Sequence, residues 1–282
     1  MRGRILRSVL MTAGAVVVMA AMVAVMPAGT AGASTRGRFT NIVFPGSIAS
    51  VAYQVNDLGV VIGNYTDTAS PALGFVDRGG KITTLVDPSA GTGVLYDPLP
   101  QGTSPYAIND LGVMVGWYWD SNGAMHGFLL KGGKYTTIDY PGSEGTYLLG
   151  ISNFGEIAGE YADSSGIWHG FTDINGKFTT IDDPVCAGVG TSMNWMNDFG
   201  EMVGSCWDAT NPFINRNGTF TPFSGQGSAL PQFVNDLGEI AGVYTAANGL
   251  TEGFTDINGT FTTIDDPLGD SGYGTYILVS RF

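Results

Sequence analysis

Two histidines, a scatter of carboxylates and five tryptophans carry whatever chemistry this 282-residue chain performs. His126 and His169 each stand directly before a Gly-Phe pair. A position used twice reads as a structural hydrogen bond rather than as one catalytic base. Two histidines also fall short of the three or four convergent ligands a zinc site takes. The sequence holds no Gly-x-Ser-x-Gly elbow, His-Glu-x-x-His pair or Gly-rich phosphate loop. A serine hydrolase would have to draw its base from one of these two histidines.

Asp67, Asp120, Asp163 and Asp208 recur at one place in four segments, which favours turn capping over catalysis. Asp97, Glu144, Glu252 and Asp270 break the pattern, and are the candidates for a paired-carboxylate site. The runs Asp182-Asp183-Pro184 and Asp265-Asp266-Pro267 could offer oxygens to Ca²⁺. Proline-terminated strand ends explain them equally well, and no calcium-loop spacing is present, so no cofactor or metal is expected. Aromatic residues stand beside polar ones at Tyr96-Asp97, Trp119-Asp120, Trp168-His169 and Trp207-Asp208. Such pairs suit carbohydrate, whose C–H face stacks on a ring while carboxylates accept its hydroxyl hydrogens. The alternative is that these rings fill gaps between structural units.

The elements that must position these residues are repeats. Five segments end a short apolar strand in an Asn-Asp-type turn closed by Gly59, Gly112, Gly155, Gly200 or Gly238. A second glycine follows each at Gly63, Gly116, Gly159, Gly204 or Gly242. Unit lengths of 53, 43, 45 and 38 residues lie in the range of propeller blades. Each unit reads as four strands, a to d: the run before the turn, the run after it, a Gly-Phe strand and a Thr-rich strand such as Lys177 to Ile181. Gly-Gly and Asn-Gly pairs between c and d are hairpin chemistry. No helical period persists after the N-terminal segment. The expectation is an all-β fold, a five-bladed β-propeller with four-stranded antiparallel blades. A six-bladed ring with an incomplete closing blade is the alternative, because 39–44 resembles a strand d and 275–282 a strand a.

The runs Gly133 to Ser143, Gly150-Ile151 with Gly155-Glu156-Ile157-Ala158-Gly159, and His169-Gly170-Phe171 resemble the HAF family of extracellular repeat proteins over nearly the whole chain after the first 33 residues. The fourth copy departs most, with Asn211-Pro212-Phe213 for His-Gly-Phe and Thr221-Pro222-Phe223 for Thr-Thr-Ile. The resemblance implies an exported repeat protein and no particular activity.

The ends agree with export. Arg2, Arg4 and Arg7 precede an apolar run from Val9 to Met26, and Ala31-Gly32-Ala33 has the small-x-small pattern of a signal peptidase site. Residues 1–33 are therefore expected to be a cleaved secretory signal, and 34–282 a single domain. An uncleaved anchor is the alternative. Cleavage removes three of 12 basic residues and none of 25 acids, leaving a net charge of −16. Nucleic acid and anionic membrane surfaces are poor partners for that charge.

Cys186 and Cys206 are the only cysteines, and an oxidising destination lets them pair. Cys206 takes the place of Tyr65, Tyr118, Tyr161 and Tyr244 in the other copies. Folding the hairpin about Asn197 to Gly200 sets Thr191 opposite Cys206, with Cys186 in the preceding loop. The a–b and c–d turns emerge on one face and the variable b–c and d–a loops on the other, with the longest insertion at Ser89 to Ser104. Variable loops on a rigid scaffold carry binding. The leading expectation is a secreted, monomeric, non-catalytic binding module for an extracellular polysaccharide or cell-surface component. A propeller glycosidase and a structural envelope protein are the rivals.

Overall fold

The computed structural model describes residues 47, 49–66, 73–96 and 99–264. The expected signal at 1–33, the expected strands at 39–44 and 275–282, Asp67, Asp97, Asp265-Asp266-Pro267 and Asp270 lie outside the described residues.

Among the described residues, five antiparallel four-stranded blades follow one another. The first comprises β1 (Ala49–Val55), β2 (Val60–Thr66), β3 (Leu73–Arg78) and β4 (Lys81–Leu85). The insertion then adds a small hairpin, β5 (Val94–Tyr96) and β6 (Leu99–Pro100). The second blade is β7 (Thr103–Ile108), β8 (Met114–Trp119), β9 (Met125–Lys131) and β10 (Lys134–Ile138). The third is β11 (Gly145–Ile151), β12 (Ile157–Ala162), β13 (Trp168–Ile174) and β14 (Lys177–Ile181). A 3-10 turn at Pro184–Cys186 leads to the fourth: β15 (Thr191–Met196), β16 (Met202–Cys206), β17 (Phe213–Arg216) and β18 (Thr219–Pro222). The fifth is β19 (Leu230–Val234), β20 (Ile240–Thr245), β21 (Thr251–Ile257) and β22 (Thr260–Ile264). Within every blade the strands pair in chain order, and the first strand packs against the first strand of the next. The chain is a β-propeller.

Each landmark of the repeat has a physical cause. The c–d pairs place two successive residues at positive φ, from Gly79 (62°) and Gly80 (89°) to Asn258 (53°) and Gly259 (79°). That is the turn whose twist matches the flanking strands. The second glycine is needed for space: a β-carbon on Gly63, Gly159, Gly204 or Gly242 would strike the carbonyl of strand a and the Phe of strand c. Those rings, Phe75, Phe128, Phe171, Phe213 and Phe254, are the blades' buried centres. On strand b, Tyr65, Tyr118, Tyr161 and Tyr244 share hydrogen bonds with Thr84, Thr137, Thr180 and Thr263. In the fourth blade both partners are replaced at once, by Cys206 and Pro222. A Cys186–Cys206 disulfide stands there instead, and Thr191 pairs with Cys206 across β15 and β16 as expected.

The Asn-Asp turns do more than close hairpins. Asn56 accepts from the amides of Leu58 and Val60, while its own amide donates to Asn109 O in the next blade at 3.0 Å. Asn109 reaches Ser152 O, and Asn197 reaches Asn235 O, in the same way. A second chain of bonds runs beside the first. The backbone N–H groups of Asp57, Asp110, Asn153 and Asp198 donate to the side chains of Asp110, Asn153, Asp198 and Asp236 respectively. Each blade is thereby tied to its successor by a girdle around the hairpin face. The apolar residue of each turn points outward: Leu58, Leu111, Phe154, Phe199 and Leu237 are all at least 69% exposed.

Every Lys and Arg between 47 and 264 also flanks a c–d turn on this face: Arg78, Lys81, Lys131, Lys134, Lys177 and Arg216. Arg216 pairs with Glu201.

Candidate functional site

The opposite, loop face holds most of the residues singled out from sequence. Asp120, Asp163 and Asp208 close their own b–c turns: Oδ1 accepts from the amides of Asn122 and Ala124, of Ser165 and Ile167, and of Thr210. The turn role expected for this recurring aspartate is what these three do. Burial works against ionisation of Asp120, yet donors from Ala124 and Asn122 outweigh it and hold its carboxyl below the ordinary range. The Ile167 amide does the same for Asp163, and the Thr210 hydroxyl for Asp208.

The histidines sit between two carboxylates apiece. His126 Nδ1 lies 2.8 Å from Asp139 Oδ2, with Asp120 Oδ2 at 3.9 Å from Nε2. His169 Nδ1 lies 2.8 Å from Asp182 Oδ2, with Asp163 Oδ2 at 3.5 Å from Nε2. Each imidazole stacks on the tyrosine of strand b, Tyr118 or Tyr161. Burial tends to lower the His169 pKa, but the bonds and charges of Asp182 and then Asp163 outweigh it and raise the value. The sequence marked both histidines as structural. It did not mark Asp139 and Asp182 as their partners, because a 13-residue separation becomes a contact only once strands c and d are paired.

Of the tryptophans, Trp168 and Trp207 stack almost parallel, with centroids 5.1 Å apart and planes at 8°. Trp207 is 44% exposed. The disulfide supports this pair: it ties the 184–190 loop to the residue before Trp207, and Trp207 N donates to Gly190 O at 3.0 Å. Gly190 lies so close to Trp168 that a β-carbon there would strike its carbonyl. Trp119 is half-buried and anchors the insertion, its amide donating to Gly102 O and its carbonyl accepting from Gly91 N. Tyr96 lies on β5 of that insertion. The pattern-breaking acids do not assemble: Glu144 is exposed on a d–a loop, Glu252 accepts from Tyr244 OH at 2.6 Å, and Asp97 and Asp270 lie outside the described residues. Among the described residues no three His, Cys, Asp or Glu side chains form a metal-holding group.

The inner strands contain what the sequence reading missed. Each strand a has a bulge, which leaves Tyr53, Tyr106, Leu149, Asn194 and Gln232 unpaired and changes the local direction of their side chains. From there an aromatic ladder climbs to the loop face. Tyr53 meets Tyr106 at 5.4 Å, Tyr106 meets Trp117 at 5.4 Å, and Trp117 meets Tyr147 at 4.9 Å. Tyr147 then meets Trp168 at 4.9 Å, which completes the path to Trp207. Glu160 stands opposite Tyr147 in the β11–β12 register and is only 3% exposed. Its Oε1 accepts from Met193 N at 2.6 Å and Ser192 Oγ at 3.0 Å. Burial pushes its pKa up to about 8, against the pull of these donors. The signal for Glu160 was present: Asn64, Trp117, Ser205 and Val243 occupy the same place in other blades, so it breaks the repeat. A cleft of about 620 Å³ between blades four and five, lined by Phe223, Leu230, Val243 and Tyr244, also opens on this face.

No family model matches the chain, and no curated protein matches it in sequence. Solved structures resemble the chain over most of its length. A mutant of the Aleuria aurantia lectin in complex with α-methyl-L-fucoside is 13% identical with a TM-score of 0.46, over 80% of each chain. Virginiamycin B lyase from Staphylococcus aureus is 13% identical at 0.47, over 86% of this chain and 78% of its own. The β-propeller domain of the Pyrococcus furiosus trilobed protease is 10% identical at 0.47, over 83% and 84%. The strand order and blade register described above remain the ground for the fold.

Proposed function

We propose that the protein is a secreted, non-catalytic binding module of the HAF repeat kind, and that its loop face recognises an extracellular polysaccharide. The observation that carries this reading is the Trp168–Trp207 pair, a flat and partly exposed indole surface held by a disulfide and bordered by Asp163, His169 and Asp208. Indole faces supply large contact area at little entropic cost. Neighbouring carboxylates whose turn-closing bonds use mainly one oxygen keep an acceptor for sugar hydroxyls.

The test is depletion of residues 34–282 from solution by a panel of insoluble polysaccharides and purified cell wall, with α-methyl fucoside added as a soluble probe. Selective depletion that falls about tenfold or more in Trp168→Ala, the loss of one aromatic anchor, supports the reading. Absence of depletion by every polymer would overturn it. A hydrolytic reading has one observation in its favour, the buried Glu160, and release of reducing sugar from a depleting polymer would establish it. Glycosidases of the usual kind need a second carboxyl roughly 5–10 Å away.

A further inference from the structure

The loop face and the inner strands below it differ chemically from a general sugar platform in three respects. First, the ladder is electron-rich throughout: Tyr53, Tyr106, Trp117, Tyr147, Trp168 and Trp207 follow one another at ring separations of 4.9 to 5.4 Å. Ring faces of this kind attract ammonium groups, most strongly where water is excluded. The hydroxyls of Tyr53, Tyr106 and Tyr147 have no hydrogen-bond partner among the described residues, so their lone pairs are available.

Second, one carboxyl group is embedded beside this ladder. Glu160 Oε1 is used by Met193 N and Ser192 Oγ, but no donor among the described residues reaches Oε2. The hydroxyl pKa values of Tyr106 and Tyr147 are raised to about 12 by burial, at Tyr106 also by Tyr53, and at both further by Glu160. Oε2 is not among the fully enclosed atoms left without a partner, so it is the open oxygen of an otherwise buried side chain and can accept from a ligand donor.

Third, charge is divided between the faces. Every Lys and Arg among residues 47–264 lies on the hairpin face, whereas the loop face presents Asp120, Glu144, Asp163, Asp182 and Asp208 with no Lys or Arg among the described residues. Such a field repels uronate or phosphate polymers and concentrates cations at this face.

We propose that the polysaccharide recognised on the loop face carries free amino groups, and that the aromatic ladder with Glu160 is the subsite for a protonated amino sugar. This rests on the polysaccharide-binding reading and narrows it. The ammonium group donates to Glu160 Oε2 and to the tyrosine hydroxyls, while the sugar's C–H face lies against the indoles. A carboxyl held protonated by burial loses its proton as the ammonium arrives, and that proton passes to solvent. Binding of an amine therefore releases a proton, and binding of a neutral sugar releases none.

The experiment is calorimetric titration of residues 34–282 with a chitosan oligosaccharide and with its fully N-acetylated counterpart of equal length, in two buffers of different ionisation enthalpy. Alginate oligomers and poly-lysine serve as the anionic and non-glycan controls. The expected result is at least about tenfold tighter binding of the amino form, the size of one well-placed charged contact, with a buffer-dependent heat that reports proton release. Glu160→Gln keeps an oxygen acceptor for Met193 N and Ser192 Oγ; with its folding checked by circular dichroism, it should lose the preference and the proton release. Trp168→Ala should weaken both. Equal binding of the two oligomers overturns this inference and leaves the polysaccharide reading intact. Binding of neither overturns both. Poly-lysine competing as well as the amino oligomer also overturns the inference, because attraction would then be to charge alone.

Discussion

The hairpin face and the loop face are built from the same strands and obey different rules. On the hairpin face, five copies of one turn repeat nearly unchanged, and their polar side chains are used in closing turns and joining blades. On the loop face the b–c turns of blades two and three share one pattern, but the d–a connections differ, and the departures collect around one sector. The disulfide, the Trp168–Trp207 stack and Glu160 all belong to blades three and four. Regularity marks the side that holds the ring together. Departure from regularity marks the side available for a ligand.

That division predicts which measurements each face should move. Cys186→Ser with Cys206→Ser opens a link of 20-residue separation. By the loop-closure relation it should cost about 3 kcal/mol in chemical denaturation and should also abolish polymer depletion, since the Trp207 platform loses its anchor. Asn109→Ala, on the other face, removes a buried donor to Ser152 O and an acceptor for Val113 N. It should cost about 2–3 kcal/mol while leaving affinity per folded molecule unchanged.

A smaller effect follows from His169, whose raised folded pKa means that its pairing with Asp182 and Asp163 stabilises fully below the ordinary value of 6.5 and fades as pH rises through the folded value. The melting-temperature advantage of wild type over His169→Gln should therefore shrink from acid to alkaline pH. The smallest effect is a gain. Ser152 stands where other blades have the girdle asparagine, and its hydroxyl serves only as an acceptor for Glu156 N in its own turn. Ser152→Asn should complete the missing link toward Asn197 O and raise stability by up to about 1 kcal/mol, with no change in binding.

Much of this architecture was legible in residue order. Gly-Gly and Asn-Gly pairs fixed the c–d hairpins, because few other residues accept two successive positive φ values. The substitution of Cys206 for a recurring tyrosine pointed to the disulfide. The girdle was not legible, although its residues were plain: Asp110 reads as a turn residue until it is known that the Asp57 amide lies beside it, 53 positions away. Glu160 escaped for a related reason. Asp97, Glu144, Glu252 and Asp270 flank connections, whereas Glu160 lies within a strand and meets the ladder only through its pairing with Tyr147. The first two rings of the ladder, Tyr53 and Tyr106, sit at bulges, which change a side chain's direction and leave no reliable trace in alternation.

The girdle has one more consequence. Its backbone bonds run one way round: each of the first four turns gives its amide to the following turn, and the side-chain bond from Asn153 Nδ2 back to Asp110 Oδ2 reinforces one of these joints. This is a head-to-tail joint, the kind that in separate subunits produces either a closed ring or an endless filament. Nothing in such a joint counts. The number of blades is set by the wedge each blade occupies, and a duplicated blade would find waiting for it a donor on one side and an acceptor on the other.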